Sequence, residues 1–155
     1  MKMTYEKVVI GRKDIADFEP LGLFGIEVKV DSGAYTSSLH CHKIEHFYHE
    51  GKEKVRCKFL DPGHPGYHEK EFVFDIHKIR SVKSSNGIVE ERISIITEIT
   101  LFNQKFPIEL TLTERSDMKN PVLLGRKFIS KKFIIDTSRK NLSLRGKIIN
   151  LQLKK

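Results

Sequence analysis

Apolar residues recur at every second position in segment after segment of this chain, and that period limits what it can fold into. The alternation runs through Ile26-Val28-Val30, Val55-Cys57-Phe59 and Phe72-Phe74-Ile76. It continues through Ile93-Ile95-Thr97-Ile99-Leu101 and Phe106-Ile108-Leu110-Leu112, with short pieces at Leu142-Leu144 and Leu151-Leu153. A period of two puts one face of a strand on a core and the other on solvent. The punctuation agrees. Gly51 separates two strands, Asp61-Pro62-Gly63-His64-Pro65-Gly66 reads as a turn-rich loop, and Asn86-Gly87 and Phe102-Asn103-Gln104 read as hairpin turns. The one helical candidate, of one or two turns, follows Gly125 through Arg126-Lys132. The pattern predicts an all-β chain with one short helix, organised as a single domain over residues 1–155.

At 155 residues such a chain can bury enough surface to fold without staples. Cys41 and Cys57 are therefore expected as free thiols, because Met1 to Asp17 shows no apolar export segment. No run of 18 apolar residues exists that could cross a membrane as a helix. The expected location is the cytoplasm. The net charge of +8 is uneven: Arg126 to Lys155 holds ten Lys/Arg and one acid, Asp136, while the remainder sums to −1. This segment is either a solvated basic face or a contact for an anionic partner, such as RNA, a ribosome surface or a polyglutamate tail. No interleaved aromatic motif accompanies the charge, so nucleic acid is not the expected partner.

Chemistry concentrates at Val28-Lys29-Val30-Asp31-Ser32-Gly33-Ala34, where an alternating strand runs into an acid, a hydroxyl and a glycine. Asp31 can serve as a catalytic carboxyl, the Ser32 hydroxyl can bond across a subunit boundary, and Gly33 permits a tight turn. Asp-Ser-Gly is also an ordinary turn sequence. A second segment, Pro121-Val122-Leu123-Leu124-Gly125-Arg126-Lys127-Phe128-Ile129, lies about 90 residues downstream. There an apolar strand ends in Gly-Arg and enters a short helix.

These two segments together resemble the layout of retropepsins. Further blocks extend the resemblance: Tyr35-Thr36-Ser37-Ser38-Leu39 after Ala34, Ser84-Ser85-Asn86-Gly87-Ile88-Val89-Glu90-Glu91-Arg92, Leu112-Thr113-Glu114-Arg115-Ser116-Asp117-Met118, and Phe133-Ile134-Ile135-Asp136. In this order, from about Val8 to Ile135, they look like the family named ATP-dependent zinc proteases, which has a retropepsin-like fold. The resemblance implies a closed β-barrel and an aspartic endopeptidase that works as a homodimer with one Asp31 from each subunit. It implies a flap with its tip at Ser84, Ser85, Asn86 and Gly87, although an ordinary exposed hairpin would read the same way. It implies that the apolar strand before Gly-Arg packs beside the Asp31 loop, which puts Leu124, Gly125 and Arg126 near the site; Arg126 itself reads as a structural ion-pair partner at the dimer interface rather than a catalytic group. It also implies a peptide or protein substrate and association with a ligase that adds glutamates to a ribosomal protein. A regulatory module acting on that ligase without cutting anything is the rival reading, and a ribosome- or RNA-binding protein is a second.

The residues argue against the cofactors in that family name. No Gly-x-x-x-x-Gly-Lys-Ser/Thr phosphate loop is present. His40, Cys41, His42, His46, His49 and Cys57 are potential zinc ligands, and His42-Lys43-Ile44-Glu45-His46 matches H-x-x-E-H. That motif needs a helix to bring both His to one face, and this segment reads as a strand of a hairpin. No metal and no cofactor is expected. Asp136-Thr137-Ser138 lacks the glycine of a second active-site loop and reads as an acid capping a turn.

Overall fold

The computed structural model describes residues 7–83, 86–114 and 119–153. Its strands are β1 (Val8–Ile10), β2 (Lys13–Phe18), β3 (Leu23–Val30), β4 (Ser37–His49), β5 (Lys52–Phe59) and β6 (Phe72–Asp75). They continue as β7 (Lys78–Lys83), β8 (Val89–Leu101), β9 (Gln104–Thr113), β10 (Val122–Leu124) and β11 (Phe133–Ile135). Two helices follow β10 and β11: α1 (Arg126–Ile129) and α2 (Leu142–Leu153).

The alternation sets the register. In β5 Val55, Cys57 and Phe59 point inward, and in β9 Ile108, Leu110 and Leu112 do the same. Each fully buried Leu, Ile or Phe stabilises the fold by about 1.5–3 kcal/mol. Two hairpins turn on two-residue loops with positive φ at both positions: Glu50-Gly51 (52°, 78°) and Phe102-Asn103 (52°, 59°). That geometry matches the twist of the flanking strands, so His49 faces Lys52 and Leu101 faces Gln104.

Six strands close into a barrel. Their order is β10-β3-β2-β8-β9-β4, and β4 returns to pair with β10. β5 and β6 extend the sheet from β4, and β7 pairs with β8. β1 and β11 form a separate parallel pair. Phe18, Ile26, Leu39, Ile95, Ile99 and Leu110 fill the interior. Cys41 and Cys57 are buried free thiols. Among the described residues, no helix is long and apolar enough to cross a membrane.

One segment departs from expectation. Leu142-Leu144 and Leu151-Leu153 read as short strand pieces, yet both belong to the 12-residue helix α2. The cause is remote. Asp14 of β2, itself buried, accepts the Ser143 N–H at 2.8 Å on Oδ2 and the Leu144 N–H at 3.2 Å on Oδ1. The first turn of a helix has orphan N–H groups, and here a strand carboxylate satisfies two of them. The Ser143 hydroxyl in turn accepts the Phe102 N–H at 2.8 Å, tying α2 to the β8–β9 turn.

Candidate active site

Asp31 sits half-buried at the end of β3. Its backbone N–H donates to the Leu124 carbonyl at 2.9 Å. Its carboxyl oxygen Oδ1 accepts the Gly33 N–H at 3.0 Å, and its carbonyl accepts the Ala34 N–H at 3.2 Å. These bonds curl Asp31-Ser32-Gly33-Ala34 into a tight turn, with Ser32 and Gly33 exposed.

The short strand β10 fixes this turn from beneath. It pairs in parallel with β3, Leu124 opposite Val30, and antiparallel with β4, Leu123 opposite Ser38. The chain between β3 and β4 therefore arches over the end of β10. At that end the Gly125 N–H donates to the Ser37 hydroxyl at 3.0 Å, the Arg126 N–H to the Ala34 carbonyl at 2.9 Å, and the Lys127 N–H to the Tyr35 carbonyl at 2.9 Å. The orphan donors opening α1 thus hold the arch. A Cβ on Gly125 would lie 2.6 Å from the Tyr35 carbonyl oxygen, which is why this position is glycine.

Arg126 reaches back over the turn. Within the chain its guanidinium donates to the Ser32 carbonyl at 2.9 Å and lies 5.8 Å from the centroid of the Tyr35 ring. Asp31, Ser32, Gly33, Ala34, Leu124, Gly125 and Arg126 are thus brought together as one unit. The turn between β7 and β8 supplies Asn86 and Gly87, the latter at φ +85°. Ser84 and Ser85 of that turn lie outside the described residues, as do Arg115, Ser116, Asp117 and Met118.

Two buried polar residues around α1 were not singled out by the sequence. Ser37 is buried and accepts the Gly125 N–H. Its only signal was its place in a hydroxyl-rich run after Ala34. Glu109 of β9 is also buried, accepting from the Ser94 hydroxyl at 2.8 Å and from the Lys127 ammonium. Burial opposes its ionisation, but these two bonds outweigh it and hold its pKa below the ordinary glutamate value. Its alternation with Ile108 and Leu110 gave no hint of burial.

The histidine-rich stretch lies along β4. His42 and His46 stand on an extended strand with a register shift between His42 and Glu45. Glu45 pairs with Arg56 at 3.2 Å, and His46 lies 3.6 Å from Glu53 and 3.5 Å from Glu91. His40 faces Asp61 at 3.6 Å. Asp136 caps a turn, accepting the Ser138 N–H at 3.0 Å and the Ser138 hydroxyl at 2.6 Å.

Comparison with known proteins agrees with this geometry. A crystal structure from Legionella pneumophila, of a protein of unknown function, superposes with a TM-score of 0.69. The match covers 89% of this chain and 99% of that one at 23% identity, which speaks to the fold. Proteins named "Probable alpha-L-glutamate ligase" are similar in sequence. The one from Shewanella halifaxensis is 36% identical over 140 residues, 88% of this chain and 30% of its own length. The one from Desulfotalea psychrophila is 34% identical over 140 residues, 88% of this chain and 29% of its own length. The chain therefore spans about 30% of the length of the curated relatives it matches. A family model described as "Retropepsin-like aspartic endopeptidase RimB" matches residues 9–145. With the closed barrel and the β10-braced Asp31 turn, that match places the chain in the RimB-like family of retropepsin-like aspartic endopeptidases.

Proposed function

We propose that this chain is one half of an aspartic endopeptidase, with Asp31 as its single catalytic carboxyl. The observation that carries the reading is the Asp31 turn, braced by β10 and α1 through Leu124, Gly125 and Arg126. A second copy, related by a two-fold axis, supplies the other Asp31. Two carboxyls in close contact resist double ionisation, so the pair holds one shared proton. The ionised member takes a proton from a water, which attacks the peptide carbonyl. The protonated member polarises that carbonyl and then protonates the leaving amine. The Ser32 hydroxyl, on the exposed rim of the turn, bonds across the two-fold, and the β7–β8 hairpin covers the bound peptide.

The test is Asp31→Asn. The change is nearly isosteric, so folding should be retained while cleavage of an unstructured protein substrate, followed by mass spectrometry, disappears. Equal cleavage by mutant and wild type would exclude Asp31 as the catalytic acid.

A second reading rests on the relatives' name. The matching region of those longer proteins is part of a chain called a glutamate ligase. In that reading this barrel binds a glutamate ligase and alters its output without cutting anything. The Asp31→Asn protein would then still change the ligase's product lengths, whereas an endopeptidase would lose its effect.

A further inference from the structure

A half-open cavity of about 190 Å³ lies between α1 and the β8–β9 hairpin, and the Asp31 turn does not line it. Ile96, Pro107 and Phe128 give it apolar walls, and Ser37, Glu109, Lys127 and Lys132 supply its polar atoms. Two of these charges are already matched, because the Lys127 ammonium bonds the buried Glu109 carboxylate.

Lys132 is different. Its ammonium donates to the Phe128 carbonyl at 2.9 Å and sits 4.9 Å from the centroid of the Phe128 ring. No carboxylate among the described residues pairs with it. Burial pushes it below the ordinary lysine range, and no neighbouring anion pushes it back. An ammonium has three donors, and one is used here. The Ser37 oxygen accepts the Gly125 N–H, which leaves its own proton to donate.

The lining thus carries one uncompensated positive charge beside an apolar wall, in a space large enough for a small organic ligand. A single spare cation matches a monoanion better than a dianion, and the apolar walls favour a ligand with a carbon body. We infer that this cavity binds a compact monocarboxylate, its carboxylate on Lys132 and its body between Ile96, Pro107 and Phe128. Ser37 connects the site to Gly125 and so to the carbonyls of the arch. Occupancy is therefore transmitted to the Asp31 turn through a bond described above. This site is independent of the chemistry at Asp31 and stands whether or not the chain cleaves peptides.

The experiment is an amide NMR titration of the full chain with benzoate, benzamide and inorganic phosphate. Benzoate should shift the Ile96, Phe128 and Gly125 amides along one saturable curve, and benzamide and phosphate should not saturate. Lys132→Met should weaken benzoate at least tenfold, while Lys131→Met, on an exposed neighbour, should leave it unchanged. Ile96→Trp, on a side chain half exposed at the cavity mouth, should block benzoate with Lys132 intact and guards against a folding defect in the first variant. Unsaturable benzoate shifts, benzamide as strong as benzoate, or full affinity in Lys132→Met would overturn the site. Saturation without movement of Gly125 would overturn the link to the Asp31 turn.

Discussion

Outside the Asp-Ser-Gly turn, Gly125 and Ser37 hold the arch that carries it. Gly125→Ala would force a methyl to 2.6 Å from the Tyr35 carbonyl oxygen and 2.8 Å from the Thr36 carbonyl carbon. Both contacts are backbone, so neither can swing aside. We expect a loss of about 1–3 kcal/mol in urea unfolding and, under the proposed mechanism, a loss of cleavage larger than stability alone explains. Glu109 governs behaviour in acid. Its folded pKa lies below the ordinary value of 4.5, so the unfolded chain binds the proton more readily. The stabilisation is present in full above that value and is lost as pH falls through the folded pKa. Glu109→Gln should therefore lower the urea midpoint most at pH 7. Its deficit against wild type should shrink as the pH drops below about 4.5. A constant deficit across that range would mean that Glu109 contributes shape rather than charge.

Among the elements, α2 depends on a residue far from it in sequence. Asp14 is buried and accepts three backbone N–H groups, from Ile15, Ser143 and Leu144. Asp14→Ala leaves those donors without their acceptor, at about 1–3 kcal/mol each where they stay buried. We expect a drop in thermal midpoint, with hydrogen exchange rising first at the start of α2. This element also marks what the sequence withholds. Strands β3, β8 and β9 were legible because alternation is local and each carries its own pattern, whereas β2 went unread. The Asn86-Gly87 and Phe102-Asn103 turns were legible for the same reason. Helix α2 was not, because its cap comes from Asp14, 129 residues away, and its leucines at 142 and 144 imitate a strand. Likewise the Asp31 turn and the Gly125-Arg126 step could be read from their residue types. The Gly125 to Ser37 bond could not, since a serine among hydroxyl residues announces no partner.

For the whole molecule the decisive question is how many chains make one site. Each chain carries one Asp31 turn, so under the proposed mechanism a lone barrel has no partner carboxyl. Specific activity should fall on dilution below the dimer dissociation constant, with sedimentation showing the same midpoint. Ser32→Ala should raise that constant by about a few-fold to tenfold per lost bond, since a hydrogen bond of this kind contributes on the order of 1 kcal/mol. Full activity in a sedimenting monomer would rule out the shared-proton pair. The position of β10 has a bearing on synthesis as well. The barrel closes only when Val122–Leu124 slides between β3 and β4, although Asp31 leaves the ribosome some 90 residues earlier. Contacts that close long loops form late, because their entropy must be met before they stabilise anything. A nascent or truncated chain ending before Val122 carries the acid but not the brace that shapes it. Under the proposed mechanism the catalytic turn is thus the last part of the barrel to be shaped, because strand order holds back its brace until β10 is in place.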